Sequence, residues 1–233
     1  DLIINVPKFK CHPLVGFTGF IKNLIGVGVG LDKARVHSLI RHPARLAEFL
    51  VILYKRFQPH LNIVDGIVAM EGEGPSHGRP KKLGKLLAGY NGAVIDVVIA
   101  SMLGLDPDNQ PYYKFLKDNG LVPLSLSEIS KEGSFETLQD FALPGLNTLN
   151  HDELRTLLKR HGPLKPVLEE EKCLKCRKCY DICLQSAITF DEFPVIDYDK
   201  CIACWCCYEM CPEGAWVLPN ARNELNKMTN APA

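Results

Sequence analysis

The chain has 233 residues, 46% of them hydrophobic and 23% charged, with a formal net charge of zero. That composition describes a globular protein with apolar material for one large domain or two modest ones. The neutral balance argues against a dedicated nucleic-acid binder, and no run approaches the ~18 uninterrupted apolar residues that suggest a membrane span.

The zero conceals a division. From Glu169 onward there are 11 acids and 7 bases, whereas Asp1 to Leu168 hold 16 acids and 20 bases. Nine of the ten cysteines lie between Cys173 and Cys211. Their spacing favours metal ligation over a secreted disulfide framework, so a reducing, cytoplasmic setting is expected. The opening DLIINVPKFK lacks Met and runs directly into a strand-like stretch. It reads as the interior of a domain whose first strands lie upstream, so the front domain is expected to be N-terminally truncated.

In chain order, LIINVP is a short apolar run closed by Pro7 and reads as a buried strand. GFTGFIKNLIGVGVG begins a helix after Thr18 and ends in glycines. PARLAEFLVILYKRF has helical spacing and a proline start. LNIVDGIVAM is a second strand, EGEGPSHGRP a loop, and KLLAGY a third strand. GAVIDVVIASMLGL is a helix stopping near Gly104, and QPYYKFLKDNG another with Gly120 as its cap. Strands alternating with helices predict an α/β domain with a mixed or parallel sheet. From Pro123 the pattern weakens. HDELRTLLKRHG predicts a helix and PLKPVLEEE a linker, which places the domain boundary near residue 165. The expected organisation is an α/β domain over 1–165, a cysteine-rich module over 166–218 and a tail over 219–233.

The module contains an internal repeat. CLKCRKCYDIC and CIACWCCYEMC both fit C-x2-C-x2-C-x3-C and begin 28 residues apart. Each is followed by an alanine-containing turn and an apolar step, as a duplicated loop–helix–strand unit would be. Three cysteines at i, i+3 and i+6 suit three corners of a cubane, and the fourth reaches the partner cluster. This predicts one 4Fe–4S cluster on Cys173, Cys176, Cys179 and Cys211, and a second on Cys201, Cys204, Cys207 and Cys183. Cys206 is surplus and reads as a small buried hydrophobe. The rival is a pair of four-cysteine zinc sites, which need no third cysteine at this spacing. Pro212 follows Cys211, as the bacterial run expects, but Leu184 follows Cys183. Tyr180, Trp205, Tyr208 and Trp216 are expected to shield the clusters from water. Residues 170 to 218 resemble the bacterial two-cluster ferredoxins, which implies a compact pseudo-symmetric α+β unit with low-potential clusters close enough for electron tunnelling.

In the front domain, an extended INVPKFKCH would point Lys8, Lys10 and His12 to one side and Phe9 and Cys11 to the other. Lys22, Asn23, Lys33, Arg35 and His37 follow among glycines. Such a set suits a phosphate or carboxylate, although from composition a solvated basic strand end is the safer reading. Lys8, Lys10, His12, Lys22, Asn23 and His37 are therefore the candidate anion- or substrate-binding residues. Asp65 and Asp96 are acids at the ends of apolar segments, where open α/β sheets bind ligands, and Asp96 could also cap or pair at a helix start. No P-loop lysine and no G-x-G-x-x-G after a strand is present, so neither ATP nor NAD is expected.

INVPKFKCH, TGFIKNLIGV, VDGIVAMEGEGPSHGRP and VIDVVIASMLGL resemble the domain of unknown function 362 family. That family often carries a two-cluster ferredoxin module at its C-terminus, and KCIACWCCYEMCPEGA with its extra Cys206 resembles those members. Cys11 stands where family members often have Thr. The resemblance implies architecture more than chemistry, since the family has no settled reaction.

The expected function is an iron–sulfur electron-transfer protein or redox-enzyme subunit. Its electrons would pass to a redox protein partner or a small anionic substrate, or to a flavin or other organic cofactor held by the front domain. The alternative is a non-enzymatic adaptor docking the cluster module onto a larger complex. A weaker alternative is a racemase-like enzyme using a metal or cofactor, with His12, His37 and Lys22 as acids and bases.

Overall fold

The computed structural model describes residues 1–13, 16–28, 36, 40, 43–105, 111–145, 153, 156–159, 162–220, 223 and 224. The chain divides into two units, one of Asp1–Val27 with His42–Pro144 and one of Gly28–Arg41 with Gly145–Ala233.

The first unit is built around one long strand. β4 (Leu61–Glu71) pairs antiparallel along its length with β5 (Arg79–Gly89). On its other edge run two short parallel partners, β1 (Ile4–Asn5) against Leu61–Asn62 and β2 (Lys8–His12) against Asp65–Met70. β1 and β2 are in effect one strand interrupted at Pro7, which has no N–H to give the ladder. The carbonyl of Pro7 still accepts the Asp65 amide at 3.0 Å. β3 (Gly16–Thr18) returns antiparallel to β2. The sheet is thus mixed. The loop expected at EGEGPSHGRP connects a β4–β5 hairpin, and KLLAGY is the end of a longer strand. The expectation of a buried first strand holds on one face only. Asn5 is buried while Leu2, Ile4 and Val6 are exposed, because β1 lies beside one neighbour and alternates across the pleat.

The helices follow the apolar spacing. α1 (Phe20–Asn23) continues into a 3-10 turn, Leu24–Val27, before the glycines. α2 (Pro43–Phe57) starts on the predicted proline and buries Leu46, Ala47, Leu50, Val51 and Tyr54 on one face. α3 (Gly92–Met102) is apolar nearly all round and buried to match. Its N-cap, Asn91, accepts from the amides of Ala93 and Val94 at 3.0 and 3.2 Å. Tyr54 ties α2 to this cap, its hydroxyl donating to Asn91 Oδ1 at 3.1 Å and accepting the Gly92 amide at 3.0 Å. α4 (Pro111–Asp118) ends at Gly120, which takes the left-handed φ of 64° that its position predicts. The helix expected at HDELRTLLKRHG falls partly outside the described residues, and within it residues 153 and 156–159 are helical.

The described elements of the second unit are short. β6 (Val167–Leu168) pairs with β9 (Trp216–Val217), and β7 (Ile188–Phe190) with β8 (Pro194–Ile196), both antiparallel. Two short helices follow the cysteine loops, α5 (Lys178–Asp181) and α6 (Cys206–Met210). The 28-residue repeat is written into the backbone. Lys175 and Ala203, Arg177 and Trp205, and Ser186 and Gly214 are equivalent pairs, and all six residues have positive φ, between 48° and 63°. Ala187 and Ala215, also equivalent, are both about 1% exposed. A non-glycine residue rarely adopts this conformation. Five of them at matched positions mean that the loops are wound to a common plan.

Candidate metal centre

The left-handed turns bring cysteines from both repeats around two separate recesses. One is lined by Cys173, Cys176, Cys179 and Cys211 together with Trp216. The other is lined by Cys183, Cys201, Cys204 and Cys207 together with Trp205. Each recess therefore takes three sulfurs from one loop and a fourth from the helix end of the other. Among the described residues, no three His, Cys, Asp or Glu side chains gather closely enough to share one metal ion.

The repeats present their sulfurs alike. The Ala187 amide donates to Cys183 Sγ and the Ala215 amide to Cys211 Sγ, both at 3.3 Å. The Lys175 amide donates to Cys173 Sγ at 3.4 Å. Backbone N–H groups aimed at sulfur favour the thiolate form. Burial opposes them and pushes Cys179, Cys201 and Cys207 up. A buried thiolate is stable only beside compensating positive charge, which a bound metal supplies. All ten cysteines are free. The donor set, four thiolates per recess with amide support and an aromatic wall, suits an iron–sulfur cluster.

Cys206 lines the second recess without belonging to the eight. It is buried and packs on Ile182. Its thiol is directed at the Cys204 carbonyl, 4.0 Å away. Of the four expected aromatic shields, Trp205 and Trp216 line the recesses and Tyr208 is buried, whereas Tyr180 is about half exposed. Trp205 is held by a hydrogen bond from its indole N–H to the Leu164 carbonyl at 2.7 Å. Arg177 and Lys178, which line the first recess, were not singled out from the sequence. Aligning the repeats residue by residue, rather than only their cysteines, would have flagged both.

The candidate residues of the first unit are engaged differently. Lys8 and Lys10 do share a face of β2, opposite the buried Phe9 and Cys11. Lys8 pairs with Asp65 across the strands at 2.7 Å, which holds the Asp65 carboxylate below its usual range. Asp65 sits mid-strand in β4 rather than at its end. His12 and Lys22 are buried. Asn23 donates to Asn5 Oδ1 at 2.8 Å, and Asn5 donates to the Phe20 carbonyl at 2.7 Å. Lys10 is half-buried. His37, Lys33 and Arg35 lie outside the described residues. Asp96 points from α3 to the start of α1, where it accepts the Phe20 and Ile21 amides at 2.8 and 3.1 Å. Gly19 makes room for it, since a Cβ there would lie 2.1 Å from Asp96 Oδ1.

No helix among the described residues is long and apolar enough to cross a membrane. The chain is 40% identical over 124 residues to Thylakoid-associated protein sll1697 of Synechocystis sp., a match covering 53% of this chain and 39% of that protein's length. Residues 1–101 match the family described as Domain of unknown function (DUF362), and residues 194–217 match the 4Fe-4S binding domain. The front of the chain is thus similar to the DUF362 family, and the second cysteine loop lies within the stretch similar to a 4Fe-4S binding domain.

Proposed function

We propose that the protein is an iron–sulfur electron carrier or redox subunit holding two 4Fe–4S clusters. One rests on Cys173, Cys176, Cys179 and Cys211 and the other on Cys201, Cys204, Cys207 and Cys183. The supporting observation is the pair of recesses, each lined by three cysteines of one loop and the last cysteine of the other. Such clusters supply one-electron exchange. The chain's own residues bind the iron, donate backbone hydrogen bonds to Cys173, Cys183 and Cys211, and wall off water with Trp205 and Trp216.

Electrons would pass to a partner protein or small anionic ligand associated with the first unit, with Lys10 as its candidate contact. A specific observation favours a second reading, in which that unit is a docking adaptor. Lys8, Asn23 and Asp96 are bonded within the fold, so much of the polar set stabilises the unit itself. A cytoplasmic site of action fits thiols that need a reducing setting.

Anaerobic purification followed by iron, sulfide and organic-cofactor analysis tests this. About eight irons and eight sulfides per chain are expected. About four would reduce the reading to one cluster, and zinc in place of iron would remove it. A flavin in the same sample would favour the enzyme over the adaptor.

A further inference from the structure

The two recesses have a common backbone plan but different surroundings, and the difference bears on where an electron rests. The inference builds on the two-cluster reading above. Features shared by the repeats do not separate the sites. The N–H to sulfur bonds at Cys183 and Cys211 have equal lengths. The ion pairs Lys172–Glu169 and Lys200–Asp197 occupy equivalent positions.

Three equivalent positions break the symmetry. Where the second loop has Ala203, Trp205 and Cys206, the first has Lys175, Arg177 and Lys178. Lys175 is offset by Glu192 at 3.4 Å. Arg177 is held over Phe190 at 4.8 Å and against Tyr180 at 5.9 Å, and Phe190 lines the first recess beside it. Arg177 and Lys178 both line that recess, with Glu213 as the acid among its lining residues. No charged residue lines the second recess, whose neighbours include Ile188, Ile196 and Ile202. Exposure runs the same way. Leu174 to Lys178 are all exposed, whereas the equivalent residues Ile202 to Cys204 are half-buried and Trp205 and Cys206 are buried.

Reducing a four-thiolate cluster adds a negative charge, which water and nearby cations stabilise and an apolar wall does not. We propose that the pair is polarised. The cluster on Cys173, Cys176, Cys179 and Cys211 has the higher potential, set by Arg177 and Lys178, and the apolar recess holds the lower-potential one. Lys165 acts on Cys201 in the second recess and opposes this order, but Glu209 counters it at Cys204, whereas the first recess has two cations against one acid.

Potentiometric titration of the anaerobically loaded full chain with dithionite, followed by electron paramagnetic resonance, tests the order. Two reduction steps are expected. The double variant Arg177→Gln/Lys178→Gln should move the upper step negative by at least tenfold in its equilibrium constant, about 59 mV for one electron, and the lower step by less. Coincident steps in the unmodified chain, or a double variant acting mainly on the lower step, would overturn the proposal. An iron content of about four would instead sink the two-cluster reading, before any potential is measured.

Discussion

The two units use their polar and sulfur-bearing side chains in opposite ways. In the first, such groups are consumed by the fold. Asp96 caps α1, Asn23 and Asn5 bond each other, and Lys8 spans β2 and β4 to Asp65. Even Cys11 is buried and donates to the Ala142 carbonyl at 3.4 Å. In the second, eight thiols converge on two recesses, with backbone amides and the Trp216 side chain among their hydrogen-bond partners. A buried polar group is costly unless it is paired. Where pairing is internal the residue reads as architecture, and where ligands gather around a recess it reads as a site.

The largest effect that would sharpen this contrast is expected from Cys183→Ala. Although Cys183 belongs to the first repeat, its loss should empty the recess formed by the second loop, lowering iron from about eight to about four per chain. Retention of the iron, or loss from the first recess alone, would break the crosswise picture. Next comes Asp96→Asn. It keeps the shape but removes the charge that two buried amides face, and should cost about 2 kcal/mol in urea unfolding of the first unit. Unchanged stability would return Asp96 to the list of ligand contacts. The smallest is Lys8→Ala. The Lys8 partner depresses the Asp65 pKa in the folded state, so the pair stabilises above the unfolded carboxylate value of ~3.9 and its contribution is lost as pH falls through the folded value. Thermal unfolding should show a slight, salt-sensitive loss at neutral pH that disappears in acid. A loss that persists in acid would mean that Lys8 acts through something other than Asp65.

Much of this was legible in the residues. Pro43 and the spacing behind it marked α2, Gly120 marked a helix end, and the two C-x2-C-x2-C-x3-C runs marked a repeat, because local chemistry decides each. The β4–β5 hairpin was harder. Arg79–Gly84 is rich in bases and carries a glycine at φ 64°, and it becomes strand only because β4 offers it a ladder. Strand alternation places Lys8 and Lys10 on one face of β2, with His12 buried, yet which of them is engaged depends on partners as far along the chain as Asp65.

By itself the sequence determined the chemistry available, namely eight thiols at cluster spacing, a charge-rich first loop and an apolar second one. Those are properties of residue type and of separation along the chain. The tertiary structure decided which sulfurs share a recess, which polar groups are already paired, and that Arg177 and Lys178 border one recess while Trp205 and Cys206 border the other. Long-range neighbours arise from packing and register, and no local pattern encodes the partner a side chain will meet.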